Sequence, residues 1–215
     1  MNASARPRVN RAATPARARG TLDQVLIDAA MELFASYGYR GTSLSRIARA
    51  AGVTKGALYW HFADKEEFFL AVVERVLNDW NRSVGVPKSS NDVEYRAEFL
   101  EMFEKNGELN EKFPWVTRLL LIITLESHKI GPRVLRAMRK AQGRQREFLR
   151  RVVERGKAIG VFDPSLDADW AAIQIWTSSI GLAQLWYLHG PKFELRASMR
   201  RQARELLREW SAAQP

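Results

Sequence analysis

The chain of 215 residues is 46% apolar and carries 34 Lys and Arg against 24 Asp and Glu, a formal net charge of +10. This composition excludes global disorder and suits a polyanionic partner. Cysteine is absent and His occurs only at 61, 128 and 189, which excludes a disulfide framework and a thiolate metal site and offers no metal-ligand cluster. The sequence holds no nucleophile–base constellation, metal spacing or phosphate-binding loop, so it is read as a non-enzyme without a cofactor.

Residues 1–20 hold five Arg, at 6, 8, 11, 17 and 19, together with Pro7 and Pro15 and no acid. They read as a disordered basic arm, either adding phosphate or minor-groove contacts or serving as a solubilising tail. No apolar run of signal-peptide length occurs there, and the protein is expected to be cytoplasmic. A first helix is predicted from Thr21, with Gln24 at capping-box spacing, to a C-cap at Gly38. Leu22, Val25, Leu26, Ala29, Ala30, Leu33, Phe34 and Tyr37 form its apolar stripe and make it a packing platform.

The stretch Thr42 to Lys65, TSLSRIARAAGVTKGALYWHFADK, reads as two short helices meeting at a tight turn. Leu44, Ile47 and Ala48 face inward on the first. Ala51-Gly52-Val53 makes the turn, where Gly takes a positive φ that a side chain resists. Thr54 is placed to cap the second helix, and Leu58 and Phe62 bury it. Lys55, Gly56 and Tyr59 are left outward: a cation, a bare backbone and an aromatic hydroxyl, shaped for a DNA major groove. Thr42 and Ser43 are candidates for hydroxyl and backbone N–H bonds to phosphate.

These residues carry a resemblance. Gly-Thr-Ser-Leu at 41–44, Ile47-Ala48, Ala51-Gly52-Val53-Thr54-Lys55-Gly56, Leu58-Tyr59-Trp60-His61-Phe62 and Asp64-Lys65 resemble the N-terminal domain of the tetracycline-repressor (TetR-type) family, from about Leu22 to about Leu77. The later part is similar to the family in helix layout only. The resemblance implies an all-α fold, with a three-helix helix-turn-helix DNA-binding domain followed by a helical bundle for ligand binding and dimerisation. It implies an operator contact surface of Thr42, Ser43, Thr54, Lys55, Gly56, Tyr59, Trp60, His61 and Lys65, with Tyr59, His61 and Lys65 on phosphate. Trp60 is left open between packing under the helix and lying on the sugar-phosphate backbone.

Asp64 is placed to cap a fourth helix, with Glu67 in the reciprocal position and a stripe of Phe69, Val72, Val73, Val76, Leu77 and Trp80. It runs to about Ser83, ended by Gly85 and Pro87, and 85–91 is the linker candidate. The resulting division is 1–20 arm, 21–66 DNA-binding domain, 67–84 connecting helix and 92–212 bundle. An acidic helix follows from Asp92 to about Asn110, with Val93, Ala97, Leu100 and Phe103 expected on its inward side. Pro114 opens a helix carrying the apolar run Leu119 to Leu125. A basic helix from about Arg133 to Ile159 comes next, read as a solvated face or, alternatively, a second DNA or membrane surface.

Trp170 to Leu188 is uncharged and apolar nearly all round, but Gln174, Thr177, Ser178, Ser179 and Gln184 argue against a membrane span. Burial on both sides needs a partner surface, so Ser178, Leu182, Leu185 and Trp186 are assigned to a homodimer interface. The last helix, about Phe193 to Trp210, adds the seam Leu195, Met199, Ala203, Leu206 and Trp210. In the layout that the resemblance implies, the middle of the bundle is a ligand cavity, and Tyr95, Phe99, Phe103, Trp115, Arg118, Glu126, Gln174, Trp176 and Thr177 are its candidate lining. An inward Glu126 would favour a cationic or hydrogen-bonding ligand. The expected protein is thus a homodimeric regulator of double-stranded DNA, a repressor released from a palindromic operator by a small apolar or aromatic effector. The alternative is a chromosome-organising protein without an effector.

Overall fold

The computed structural model describes residues 16–211, with the side chains of 16–23, 122–123, 126–130 and 191 left aside. Residues 1–15 of the basic arm lie outside the described residues. The helices are α1 (Ala16–Gly41), α2 (Leu44–Ala50), α3 (Lys55–His61), α4 (Lys65–Val84), α5 (Asp92–Lys112), α6 (Pro114–Ile130), α7 (Pro132–Ala158), α8 (Ala168–His189) and α9 (Leu195–Glu209). Among the described residues the extended pairing is a single bridge between Phe162 and Ser211.

The first helix starts earlier than Thr21. Ala16, Arg17, Ala18 and Arg19 are strong helix formers, and α1 runs through them and through Gly20. Residues 16–20 therefore belong to α1 rather than to the arm. Gln24 donates to Asp28 one turn on, at 2.6 Å, instead of capping. At Gly38 the backbone leaves helical geometry (φ 69°) and a last short turn ends at Gly41.

Leu26, Ala30 and Phe34 of α1, Leu44, Ile47 and Ala48 of α2, Leu58 of α3 and Phe68, Phe69, Val72 and Val73 of α4 close one core. Phe34, Tyr39 and Phe69 interlock there, with Phe69 edge-on to both other rings at centroid distances of 4.9 and 4.8 Å. Leu119 of α6 and Val134 and Met138 of α7 belong to the same core. Apolar packing thus continues across the boundary that the sequence suggests near residue 66.

The second core lies between α5, α7, α8 and α9. Its α5 contribution is Tyr95, Phe99, Met102 and Phe103, whereas Val93 (74% exposed) and Ala97 face solvent. The inward face of α5 keeps Phe103 and the half-buried Leu100 of the expected stripe but is rotated away from Val93 and Ala97, because the large aromatics at i, i+4 and i+8 offer more apolar area. Gly107 lets α9 approach: a Cβ there would stand 3.0 Å from the Cα of Arg196. Glu104 of α5 pairs with Arg196 and Arg200 of α9, which holds its carboxyl below the ordinary range, chiefly through the Arg200 hydrogen bond.

The α9 seam does not serve a partner chain. Leu195, Met199, Ala203, Leu206 and Trp210 are at most 8% exposed and pack within the chain's own core. An amphipathic stripe demands a partner surface without saying which one, and here α5 supplies it.

Candidate nucleic-acid interface and internal cavity

The reading head is built by its own caps. Ser43 Oγ accepts from Arg46 N at 3.2 Å and opens α2, and Thr54 Oγ1 accepts from Ala57 N at 3.2 Å and opens α3. Gly52, at φ 68°, makes the turn between them. With Leu58 fully buried, Lys55, Gly56, Tyr59 (47% exposed) and Trp60 (66% exposed) stand on the surface. Lys55 Nζ lies 5.5 Å from the Tyr59 ring centroid. The Trp60 ring meets the part-buried His61 edge-on at 5.0 Å. Trp60 thus lies outside the core under α3, which disfavours the packing alternative.

Gly56 is informative because nothing among the described residues needs it. Its backbone has no positive φ, and a Cβ built there meets no atom within 4 Å. A helical glycine that costs about 1 kcal/mol against alanine without an internal reason points to close approach by something outside.

Thr42 is turned inward, away from the expected phosphate contact. It is fully buried, and its hydroxyl lies 2.9 Å from Gly38 O and 3.0 Å from Leu33 O, with its N–H turned to Tyr39 O. Its polar groups clamp the α1–α2 junction and are spent, so it offers nothing to phosphate. Ser43 is exposed and, having accepted one bond, keeps its O–H to donate. Lys65 is half withdrawn, its ammonium 4.2 Å from the Tyr39 ring centroid, and burial pushes its pKa below the ordinary lysine value. Arg46 lies over the Tyr37 ring at 3.6 Å on the exposed side.

Helix α4 begins at this head. Asp64 caps it by accepting from Glu67 N at 2.7 Å, and Glu67 accepts from Ala63 N at 3.0 Å. Arg133, in the first turn of α7, reaches Asp64 at 3.0 Å. The Asp64 carboxyl is held below its usual range, first by the Glu67 backbone N–H and also by Arg133. The far half of α4 forms the wall of a cavity of about 470 Å³ between α4, α5, α6, α7 and α8.

That cavity differs from the expected one. Phe103 and Trp176 line it. Tyr95 and Phe99 do not: they are fully buried beside Phe162, and Tyr95 donates its hydroxyl to Val152 O. Trp115 packs against the reading-head core, and Arg118 is exposed and donates to Ser36 O at 3.2 Å. Thr177 is exposed with its hydroxyl bonded to Ile173 O at 2.8 Å, and Gln174, half-buried, is not on the wall. The side chain of Glu126 lies outside the described residues. The missed lining comes from Trp80 and Asn81 of α4, Asn106 and Asn110 of α5, Thr117 of α6, and Gln142, Gln145 and Phe148 of α7. Among the described residues, no Asp, Glu, Lys, Arg or His lines the cavity.

On the opposite side of α8, Leu185 and Leu188 are 48% and 75% exposed, beside half-buried Ser178, Gly181, Leu182 and Trp186. Residues 178, 181, 185 and 188 fall on one helical stripe. No helix among the described residues is long and apolar enough to cross a membrane, and no group of three His, Cys, Asp or Glu is arranged to hold a metal.

The arrangement defines an all-helical protein with an N-terminal helix-turn-helix head on a cavity-bearing helical bundle. Residues 26–72, the helix-turn-helix head with the end of α1 and the start of α4, match the family described as bacterial regulatory proteins, tetR family. The HTH-type transcriptional regulator AcrR of Shigella flexneri is 43% identical over 76 residues, 35% of this chain and 32% of that protein. The HTH-type transcriptional regulator RutR of Escherichia coli (strain K12) is 29% identical over 103 residues, 48% of each chain. The matches therefore span about a third to a half of these relatives. A TetR transcription regulator from Haloarcula marismortui superposes with a TM-score of 0.73 at 17% identity, over 89% of this chain and 98% of the other. The fatty acid degradation regulator FadR of Bacillus halodurans gives 0.68 at 20%, over 86% and 96%. These two likenesses extend the shared fold over the bundle.

Proposed function

We propose that the protein is a DNA-binding transcriptional regulator that acts as a homodimer and is released from a palindromic operator by a small, largely apolar effector. One observation carries the reading: α4 starts at the cap that ends the helix-turn-helix head and, about 30 Å long, finishes as a wall of the cavity. A ligand that prefers another position of α4 shifts the population away from the DNA-bound state. Lys55, Gly56 and Tyr59 face the base edges in this reading, and Ser43, His61 and Lys65 hold the backbone. The exposed apolar stripe of α8 is the interface with the second copy, which sets the two α3 helices about 34 Å apart, one turn of duplex.

The test begins with selection of duplexes from a random pool by the purified protein, followed by a genome-wide binding map. Enrichment of a short palindrome bound by one dimer, with a few sharp genomic sites, supports the reading. Binding that follows duplex length and salt alone refutes sequence-specific control, and hundreds of dispersed sites would favour a chromosome-organising role instead.

A further inference from the structure

The cavity wall holds a chain of hydrogen bonds whose valences can be counted. Trp80 Nε1 of α4 donates to Asn106 Oδ1 of α5 at 3.1 Å. Indole N–H is a donor only, so this bond fixes the orientation of the Asn106 amide. Asn110 Nδ2 donates to Asn106 O at 2.8 Å and to Asn106 Oδ1 at 3.3 Å, and Thr117 Oγ1 donates to Asn110 Oδ1 at 2.6 Å. The oxygen of Asn106 is thus doubly engaged. Its nitrogen is not: its partner is the thioether of Met199 at 3.5 Å, a weak acceptor. A donor so poorly satisfied on the wall of an apolar cavity lacks a strong acceptor.

We infer that the cavity takes an uncharged, largely apolar molecule bearing an acceptor oxygen, a carbonyl or hydroxyl, seated on Asn106 Nδ2. This inference rests on reading the cavity as a ligand site and names the ligand's chemistry. The described lining has no charged side chain, so among the described residues nothing on the wall offers an ionic ligand a counter-ion against the large cost of burying its charge. The same amide holds Trp80, so a ligand anchored at Asn106 bears on the bond that ties α4 to α5. Asn106 is a specificity-determining residue, and its bond to Trp80 is the point where occupancy reaches α4.

The experiment uses the full chain and displacement of the neutral apolar dye 1-N-phenylnaphthylamine. Four probes share one ring: cyclododecane, cyclododecanone, cyclododecylammonium and cyclododecanecarboxylate. Cyclododecanone is expected to displace the dye about 3- to 10-fold more tightly than the hydrocarbon, the worth of one neutral hydrogen bond, and both ions are expected to be weaker than the ketone. Asn106→Asp keeps an oxygen for Trp80 but removes the donor, so it abolishes the ketone's advantage and raises the affinity of the ammonium. Met199→Leu removes the competing sulfur at similar volume and keeps the advantage. Equal affinity of ketone and hydrocarbon in the unaltered protein, which needs no variant, overturns the inference while the cavity reading stands. So does a ketone advantage that survives in Asn106→Asp. Failure of all four probes to displace a bound dye, or of the dye to bind, overturns both.

Discussion

Gly56→Ala separates folding from recognition because the two effects have opposite signs. Among the described residues the new Cβ meets nothing within 4 Å, and the position lies in α3 without a positive φ, so the substitution removes a poor helix former without a clash. The expected gain is about 0.5–1 kcal/mol, less if the second residue of a seven-residue helix counts partially. For a chain of this size that corresponds to roughly 1–4 °C in Tm. Against DNA the same methyl group stands where α3 would approach the base edges. Overpacking of a tight contact costs about 1–3 kcal/mol, or roughly 5- to 150-fold in affinity. The assays are thermal unfolding of the free protein and titration of a duplex selected by the unaltered protein, at fixed salt. A variant that is as stable or more stable and binds tenfold less tightly supports the placement. One that binds the duplex undiminished refutes it, since Gly56 would then have no close partner outside the chain. A variant that unfolds earlier refutes the internal geometry instead.

Thr42→Val tests the opposite assignment one helix away. Removing a buried hydroxyl that serves two carbonyls should cost about 1–3 kcal/mol of stability and leave affinity for the selected duplex unchanged while the head is folded. Unchanged stability with weakened binding would restore a phosphate role. Leu188→Glu should leave the fold within about 0.5 kcal/mol, since the side chain is 75% exposed, yet give monomers in sedimentation and weak binding to a palindrome. A persistent dimer removes the α8 stripe from the interface. Tyr95 gives a pH signature: burial, its largest cause, raises the phenol above the ordinary 10.0. The folded state therefore holds the proton more tightly, and its stabilisation is complete below pH 10 and lost as pH rises above it, by up to about 1.4 kcal/mol per unit. Tyr95→Phe should be less stable at pH 7 by about 0.5–1.5 kcal/mol for the lost hydrogen bond to Val152 O, and the two proteins should converge in alkali. Parallel stability curves above pH 10 would contradict this.

The helix-turn-helix head was legible because its instructions are local. Ser43, Thr54 and Asp64 each cap the helix that follows them, Gly52 makes the turn, and Leu44, Ile47 and Leu58 are buried where their spacing puts them. Thr42 was misread because a threonine before a helix has the same sequence signature whether its hydroxyl faces phosphate or the carbonyls of the preceding helix. In the bundle, the stripe of α9 was plain but its partner was not, since periodicity specifies a face and leaves its destination open. The cavity was less legible still. Asn106 and Asn110 sit in an acidic helix where spacing gives a lone polar residue no inward mark, and only the fold brings them beside Trp80 and Thr117, residues from two other helices. Aromatic residues drew attention as lining, yet Tyr95 and Phe99 fill the tight contact with Phe162, where large rings pack best.

How α4 could carry a signal is constrained by its first half. Phe68, Phe69, Val72 and Val73 are at most 3% exposed and interdigitate with α1 and α2, so this part cannot slide on the reading head without opening a close-packed core. The same core includes Val134 and Met138 of α7 and Leu119 of α6, and Arg133 pairs with the Asp64 cap. Head, α4 and the facing ends of α6 and α7 are therefore expected to move together. Met138 belongs to that core and also lines the cavity, while Trp80 and Asn81 line it from the far half of α4. An occupant that displaces the Trp80–Asn106 contact would thus act on a lever whose other end is fixed in the head. In the proposed dimer, the motion that separates the two heads would then be a rigid swing of this unit against α5 and α8, because bending α4 itself would break the packing that makes the head fold.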